Sequence, residues 1–324
     1  MSHSTMSGWY EGGADPHPLS AYAQEITFND ASKLMTFLGA DQFRQGGWIF
    51  RGQADATWSL QPSLERFAAE LRDLPSAVES YIDAEFRRHA HHFASDTPGT
   101  EDMLGWLALM RHHGAPSRLL DFTKSPYVGA FFATVDAARD KSAAIWAVDG
   151  FALKRCAGAL LSKESMSVVI RQHGEKCLNN PSYSFSDPTV FSEVVGGGPL
   201  GSTMGVPARV VIPVEPLRTN ERVLLQQSVF LCPVSLYATF EHALKNVVRY
   251  AQEDPASSDI LYKISISPDA RPNTLRELHR MNINYATLLP GLEGLARSLA
   301  TVCEIRATSV PAASRPDYEF GIRF

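Results

Sequence analysis

Residues 110–137, MRHHGAPSRLLDFTKSPYVGAFFATVDA, constrain the fold more than any other stretch of this chain. A helix from about Glu101 to His113 stops at Gly114, with Pro116 just beyond it, the usual punctuation of a helix C-terminus. Arg118 to Phe122 then reads as a short buried strand. Ser125 is a good N-cap and Pro126 suits the first helical position, because its missing N–H has no partner there anyway. The next helix runs to about Arg139 and carries Val128, Ala130, Phe131, Phe132 and Val135 as core residues.

The rest of the chain mixes the same elements without regular βαβ alternation. Helices are expected over 30–39, 62–74, 76–94, 151–162, 234–252, 272–281 and 290–301. Strands are expected at 48–50, with Arg51-Gly52 at the end, and at 143–149, 208–215, 221–233 and 259–267. This pattern predicts an α+β protein: a single mixed domain with a central, mostly antiparallel sheet flanked by helices. The domain is expected over 21–305, between a flexible N-terminal tail (1–20) and a C-terminal tail (306–324).

Of the 324 residues, 44% are hydrophobic, ample for one large core or two smaller ones. The net charge is −5 and there is no long basic run, which argues against tight sequence-independent nucleic-acid binding. The four cysteines, Cys156, Cys177, Cys232 and Cys303, include no C-x-x-C pair and fit reduced thiols. No apolar run approaches the ~20 residues of a membrane span, and the first residues lack a signal core. The expectation is a cytoplasmic protein with no membrane partner. His89, His91 and His92 read as a solvated helix face, so no metal is expected. The Gly196–Gly201 loop lacks the Gly-Lys-Ser/Thr ending of a phosphate loop and reads as flexible.

Four blocks in order carry a resemblance: WIFRGQADATWSLQPSLER, LMRHHGAPSRLLDFTKSPYVGAFFA, NERVLLQQSVF and NINYATLLPGLEGLA. Together they resemble the FRG-domain family, named for the Phe/Tyr-Arg-Gly motif that stands here as Phe50-Arg51-Gly52. The central block is similar to the family's Gln-His-x-Gly-x-Pro-Thr-Arg-Leu-Leu-Asp-x-Thr run. Arg111 stands where the family often has Gln, Ser117 replaces Thr, and Ser228 replaces the Gly of Gln-Gln-Gly-x-Phe. Gly291 and Glu293 stand where Asp is common. The family is similar to proteins of prokaryotic defence and mobile-element settings, which implies a toxin or anti-phage defence effector.

A more remote resemblance is to NAD-using ADP-ribosyltransferases. They place an Arg-Gly on an early strand, a Ser/Thr run before a helix, and a catalytic Glu on a later strand. It implies NAD as the substrate cofactor and a nucleic acid or protein as acceptor. Arg51 would bind NAD, with Gly52 and Gln53 beside it, since a guanidinium offers bidentate contacts to a pyrophosphate and glycine lets a ligand approach the backbone. Thr123 and Ser125 would line the nicotinamide pocket, with Arg118 and Gln226 as further ligand contacts, and His113 would orient the ribose. The carboxylate that meets positive charge on the sugar would be Asp121, Glu221 or Glu293. Asn220-Glu221-Arg222 does not keep the expected Glu-x-Glu register.

Plainer readings stand beside these. Arg118 and Asp121 suit a buried ion pair, Ser125 a helix cap, and His112 and His113 a helix C-terminus. Two other functions remain open: a nuclease or other phosphate-directed enzyme using Arg51, His113, Arg118 and Asp121, and a non-catalytic ligand- or partner-sensing module.

Overall fold

The computed structural model describes residues 17–45, 47–165, 167–195, 209–253 and 259–309. Its strands are β1 (Gln24–Phe28), β2 (Trp48–Gln53), β3 (Leu120–Thr123), β4 (Ala143–Asp149), β5 (Val211–Val214), β6 (Ser228–Pro233) and β7 (Leu261–Ile266). The helices between them are α1 (Ala31–Leu38), α2 (Asp41–Arg44), α3 (Ser63–Leu71), α4 (Pro75–Ala90), α5 (Met103–His112), α6 (Pro126–Thr134) and α7 (Gly150–Glu164). They continue as α8 (Val168–Asn179), α9 (Pro188–Val195), α10 (Glu221–Leu225), α11 (Phe240–Gln252), α12 (Arg271–Arg280), α13 (Tyr285–Leu288) and α14 (Leu292–Ser309).

The strands form one seven-stranded sheet in the order β1-β7-β4-β2-β3-β6-β5. Only β1 and β7 run parallel; every other pairing is antiparallel. The fold is therefore α+β with a mostly antiparallel sheet, as the order of elements in the sequence predicts. Alternate side chains leave opposite faces of a strand, so each face builds its own core. Ile49, Trp146, Val148, Leu120 and Phe122 pack on one side against helices that include α7 and α11. Phe50, Ile145, Ala147, Ile264 and Ile266 pack on the other, against α1, α6, α12 and α13.

The helix–strand–helix reading of residues 110–137 holds with tighter limits. Asp102 caps α5, its side chain accepting from the Gly105 N–H at 2.9 Å. Ser125 caps α6 by accepting from the Val128 N–H at 3.3 Å. Helix α6 ends at Thr134, short of Arg139.

The structure departs from the sequence pattern in four places. Residues 221–233 are not one strand. Asn220 accepts from the Val223 N–H at 2.9 Å and starts α10, Gln227 turns the chain at φ 49°, and only then does β6 begin. Strand β1 escaped the sequence reading because its QEITF is an edge strand that stays largely exposed. Helices α8 and α9 lie between residues 162 and 196, where the sequence pattern predicts no element; Ser167 and Asp187 cap them by accepting from backbone N–H groups. At the N-terminal end Leu19 is buried in the core and Lys245 bonds the His17 carbonyl, so the packed chain begins before residue 21. The Gly196–Gly201 loop, residues 1–16 and the last part of the C-terminal tail lie outside the described residues.

Candidate functional site

Strands β2 and β4 pair over six residues, Trp48 to Gln53. Strands β2 and β3 meet at a single bridge, Phe50 with Thr123. Beyond it the ladder stops, and the Arg51 side chain takes its place: Nη1 donates to the Asp121 carbonyl at 2.8 Å. A cavity of about 930 Å³ opens at this parting of the strands.

Four guanidinium groups line the cavity: Arg51, Arg66, Arg111 and Arg222. Two carboxylates share it, Asp121 and Asp136, together with His112 and the rings of Trp58, Phe132 and Phe230. The Arg51 and Arg111 guanidiniums both turn to Asp121. Arg111 Nε donates to Asp121 Oδ2 at 3.0 Å and its Nη2 binds the same oxygen. Arg51 Nη1 lies 4.0 Å from Oδ2. Arg111 Nη1 also donates to Ser63 Oγ at 3.3 Å.

This arrangement leaves the cavity wall short of negative charge. Burial pushes the Asp121 carboxyl up, but Arg111 and then Arg51 outweigh it and hold it below the usual carboxylate range. Burial, with Arg111 and Arg66 nearby, lowers Arg51 to about 10 despite the pull of Asp121. Arg51 therefore stays charged at neutral pH. Its Nε is buried without a hydrogen-bond partner, an uncompensated donor of a kind that folded proteins rarely leave. His112 is shifted down by burial, by His113 and by Arg222, so it is neutral at pH 7. Asp136 accepts from the Tyr285 hydroxyl at 2.8 Å.

Residues 46–142 match the family model of the FRG domain. The chain carries an FRG domain. No curated protein and no solved structure matches it.

The motif residues named from the sequence divide into those that face the cavity and those that hold it open. Gly52 belongs to the second group. A Cβ there would stand 2.3 Å from the Ala133 nitrogen and 2.3 Å from the Gly129 carbonyl oxygen. Helix α6 occupies the space expected for a ligand, so the glycine of the motif serves helix-on-strand packing. Gln53 accepts from the Trp146 indole at 2.7 Å and donates to the Ser59 carbonyl at 3.0 Å. The Thr123 hydroxyl donates to the Gln226 carbonyl at 2.6 Å and accepts from the Ser125 N–H at 3.1 Å. The Gln226 side chain donates to the Leu288 carbonyl at 3.0 Å. Gly52, Gln53, Thr123 and Gln226 line the cavity, yet their chemistry is spent on the frame. Ser125 is a helix cap and stands outside the lining.

Arg118 and Asp121 are not partners. Arg118 is buried against Glu79 of α4, with Nε donating at 2.7 and 3.0 Å to its two oxygens and Nη2 binding one of them. That pair braces β3 and lies away from the cavity lining. His113 is exposed at the end of α5, and its neighbour His112 faces the cavity instead. Counting back from Gly114 and Pro116 in the family's Gln-His-x-Gly-x-Pro run also lands on His112. Glu221 sits exposed in the first turn of α10, and Glu293 on α14 pairs with Arg297; neither lines the cavity. The sequence reading passed over Trp58, Arg66, Asp136 and Arg222. All but Asp136 lie inside the sequence blocks quoted above, where their charge or ring was the available signal. Arg111 was visible there only as a departure from Gln.

Among the described residues no group of three or more His, Cys, Asp or Glu is placed to hold a metal, and no helix is long and apolar enough to cross a membrane.

Proposed function

We propose that the cleft between β2 and β3 binds NAD by its diphosphate and that the protein is an ADP-ribosyltransferase-like enzyme. One observation carries the reading: four arginines, two carboxylates and an exposed indole meet in one cavity at the end of the Phe-Arg-Gly strand. Guanidinium groups bind phosphate oxygens in pairs. Arg51 and Arg111, held side by side by Asp121, form the clamp, and the buried Arg51 Nε would gain its missing acceptor. Asp121 acts as a positioning residue. That leaves Asp136 as the carboxylate to face the ribose. When the nicotinamide–ribose bond breaks, nicotinamide leaves with the electron pair and positive charge builds on the sugar. A fixed carboxylate stabilises that charge, and the acceptor then bonds to the anomeric carbon as it gives up a proton. A toxin or anti-phage role rests on the resemblance of FRG proteins to defence-associated ones and on nothing in the cleft.

His112 favours a second reading, a phosphate-directed hydrolase. A neutral imidazole beside arginines can take a proton from water while the guanidiniums hold the phosphate.

Incubation with NAD and cell extract, with nicotinamide release as the readout, tests the first reading. Wild type is expected to release nicotinamide. Asp136→Asn is expected to retain NAD binding and lose the rate, and Arg111→Gln to lose binding. Neither release nor NAD binding by calorimetry overturns the proposal, and phosphate-ester cleavage dependent on His112 transfers it to the second reading. Binding without turnover would make the domain a sensing module.

A further inference from the structure

We infer that Trp58 is the platform on which a planar base of the ligand stacks, so that the cleft selects a nucleotide over a free phosphate compound. The inference rests on the reading of the cleft as a nucleotide site and adds to it the residue that reads the ring.

Three other tryptophans of the described chain are spent on the fold. The Trp106 indole donates to the Gly99 carbonyl at 2.9 Å, and Trp146 donates to Gln53 at 2.7 Å. Trp48 packs edge-on against Phe43 and Tyr262. Trp58 differs: it lines the cavity and keeps 56% of its surface exposed. An indole left in water forgoes a large hydrophobic gain, and one set in a concave wall beside cations can recover it only from a ligand.

The segment that carries it is pinned on both sides. Asp55 is buried and accepts from the Thr57 N–H and hydroxyl at 2.9 and 2.6 Å, and from Lys141 at 2.7 Å. The Ser59 carbonyl is held by Gln53 at 3.0 Å. The Leu60 N–H donates to Glu241 at 2.8 Å, and Leu60 itself is fully buried. Between these anchors Thr57, Trp58 and Ser59 are exposed, and Trp58 alone of the three carries a ring. Its backbone is ordered before any ligand arrives, and an indole has two torsions to fix, so little conformational entropy remains to be lost on stacking. Arg51 and Arg111 supply the anion contacts in the same cavity, and Arg66, which donates to the Gln61 carbonyl at 2.5 Å, lines it beside them. A ring on Trp58 and a diphosphate on the arginines describe the two ends of one nucleotide.

The test titrates NAD and, separately, inorganic pyrophosphate into wild type, Trp58→Ala and Trp58→Phe by calorimetry. Trp58 is exposed, so the variants are expected to unfold with the wild-type midpoint. Base–aromatic stacking sets the expected loss for Trp58→Ala at roughly tenfold or more in NAD affinity. Trp58→Phe should recover part of it, and pyrophosphate affinity should not change in either variant. Undiminished NAD binding by Trp58→Ala overturns the stacking role and leaves the cleft intact. Equal losses for both probes also overturn it, because the residue would then only shape the arginine wall. A wild-type protein that binds neither probe overturns the reading of the cleft, and the stacking role falls with it.

Discussion

Substituting Gly52 by Ala separates two explanations of the Phe-Arg-Gly motif. If the glycine exists to let a ligand near the backbone, Gly52→Ala leaves the fold intact and weakens binding. The packing of α6 on β2 predicts the reverse order of effects. The new Cβ would stand 2.3 Å from two backbone atoms, Ala133 N and Gly129 O, and 2.7 Å from the Phe132 carbonyl carbon. Ordinary contact needs about 3.5 Å, so the helix must retreat by about 1 Å from a strand at the centre of the sheet. Overpacking a core costs about 1–3 kcal/mol. With backbone on the receiving side and no side chain able to rotate away, Gly52→Ala belongs at about 3 kcal/mol or above. In a chain of this size that is a fall in Tm of about 4–5 °C. Urea unfolding at pH 7 followed by circular dichroism measures it, with Gly99→Ala as control, because nothing lies within 4 Å of a Cβ there. A Gly52→Ala protein with the wild-type midpoint and impaired ligand binding would refute the packing argument.

Other substitutions probe the frame and the charges. Glu79→Ala strands the buried Arg118 guanidinium and should cost about 3–5 kcal/mol in urea unfolding, whereas the double replacement Glu79→Leu, Arg118→Met should recover most of it. Glu65 is buried, receives the Phe240 N–H at 2.6 Å, and is raised from 4.5 to about 7, chiefly by burial. The folded state then holds a proton that the unfolded chain has released, so stability falls as pH rises from about 4.5 to about 7 and is level above. The contribution is about 3 kcal/mol, and Glu65→Gln should flatten that part of a Tm–pH profile; an unchanged slope would remove Glu65 as its source. Arg111→Gln, which restores the residue common in the family, should lower pyrophosphate affinity about tenfold at low salt by loss of a charge-assisted contact. An unaltered affinity would show that Arg51 alone suffices.

The sequence disclosed most where local chemistry decides structure. Ser125-Pro126 and Gly114 mark their helix ends by capping and turn geometry, which need only neighbouring residues, and the apolar runs of β2 and β4 mark them as strands. It disclosed less where tertiary contact decides. The run ERVLLQQSVF reads as a strand by its apolar content, but the Asn220 cap and the turn at Gln227 divide it. Pairings across the fold were not legible: Arg118 lies three residues from Asp121 and bonds Glu79, 39 positions away. The site shows the same division. Arg51 and Asp121 stood out through their motifs, and the structure brings them together. Gly52, Gln53, Thr123 and Gln226 carried the same motif signal for structural reasons, since a pattern cannot tell a residue that touches a ligand from one that holds the wall. His112 was lost to its neighbour because two adjacent helix-end histidines differ only in the direction they face.

A structure of the protein with ADP-ribose bound tests the central claim most directly. The account predicts the diphosphate in the cleft between β2 and β3, within hydrogen-bond reach of both Arg51 and Arg111, with Asp121 still between them. A diphosphate bound elsewhere, or a cleft that stays without ligand at saturating ADP-ribose, would contradict it.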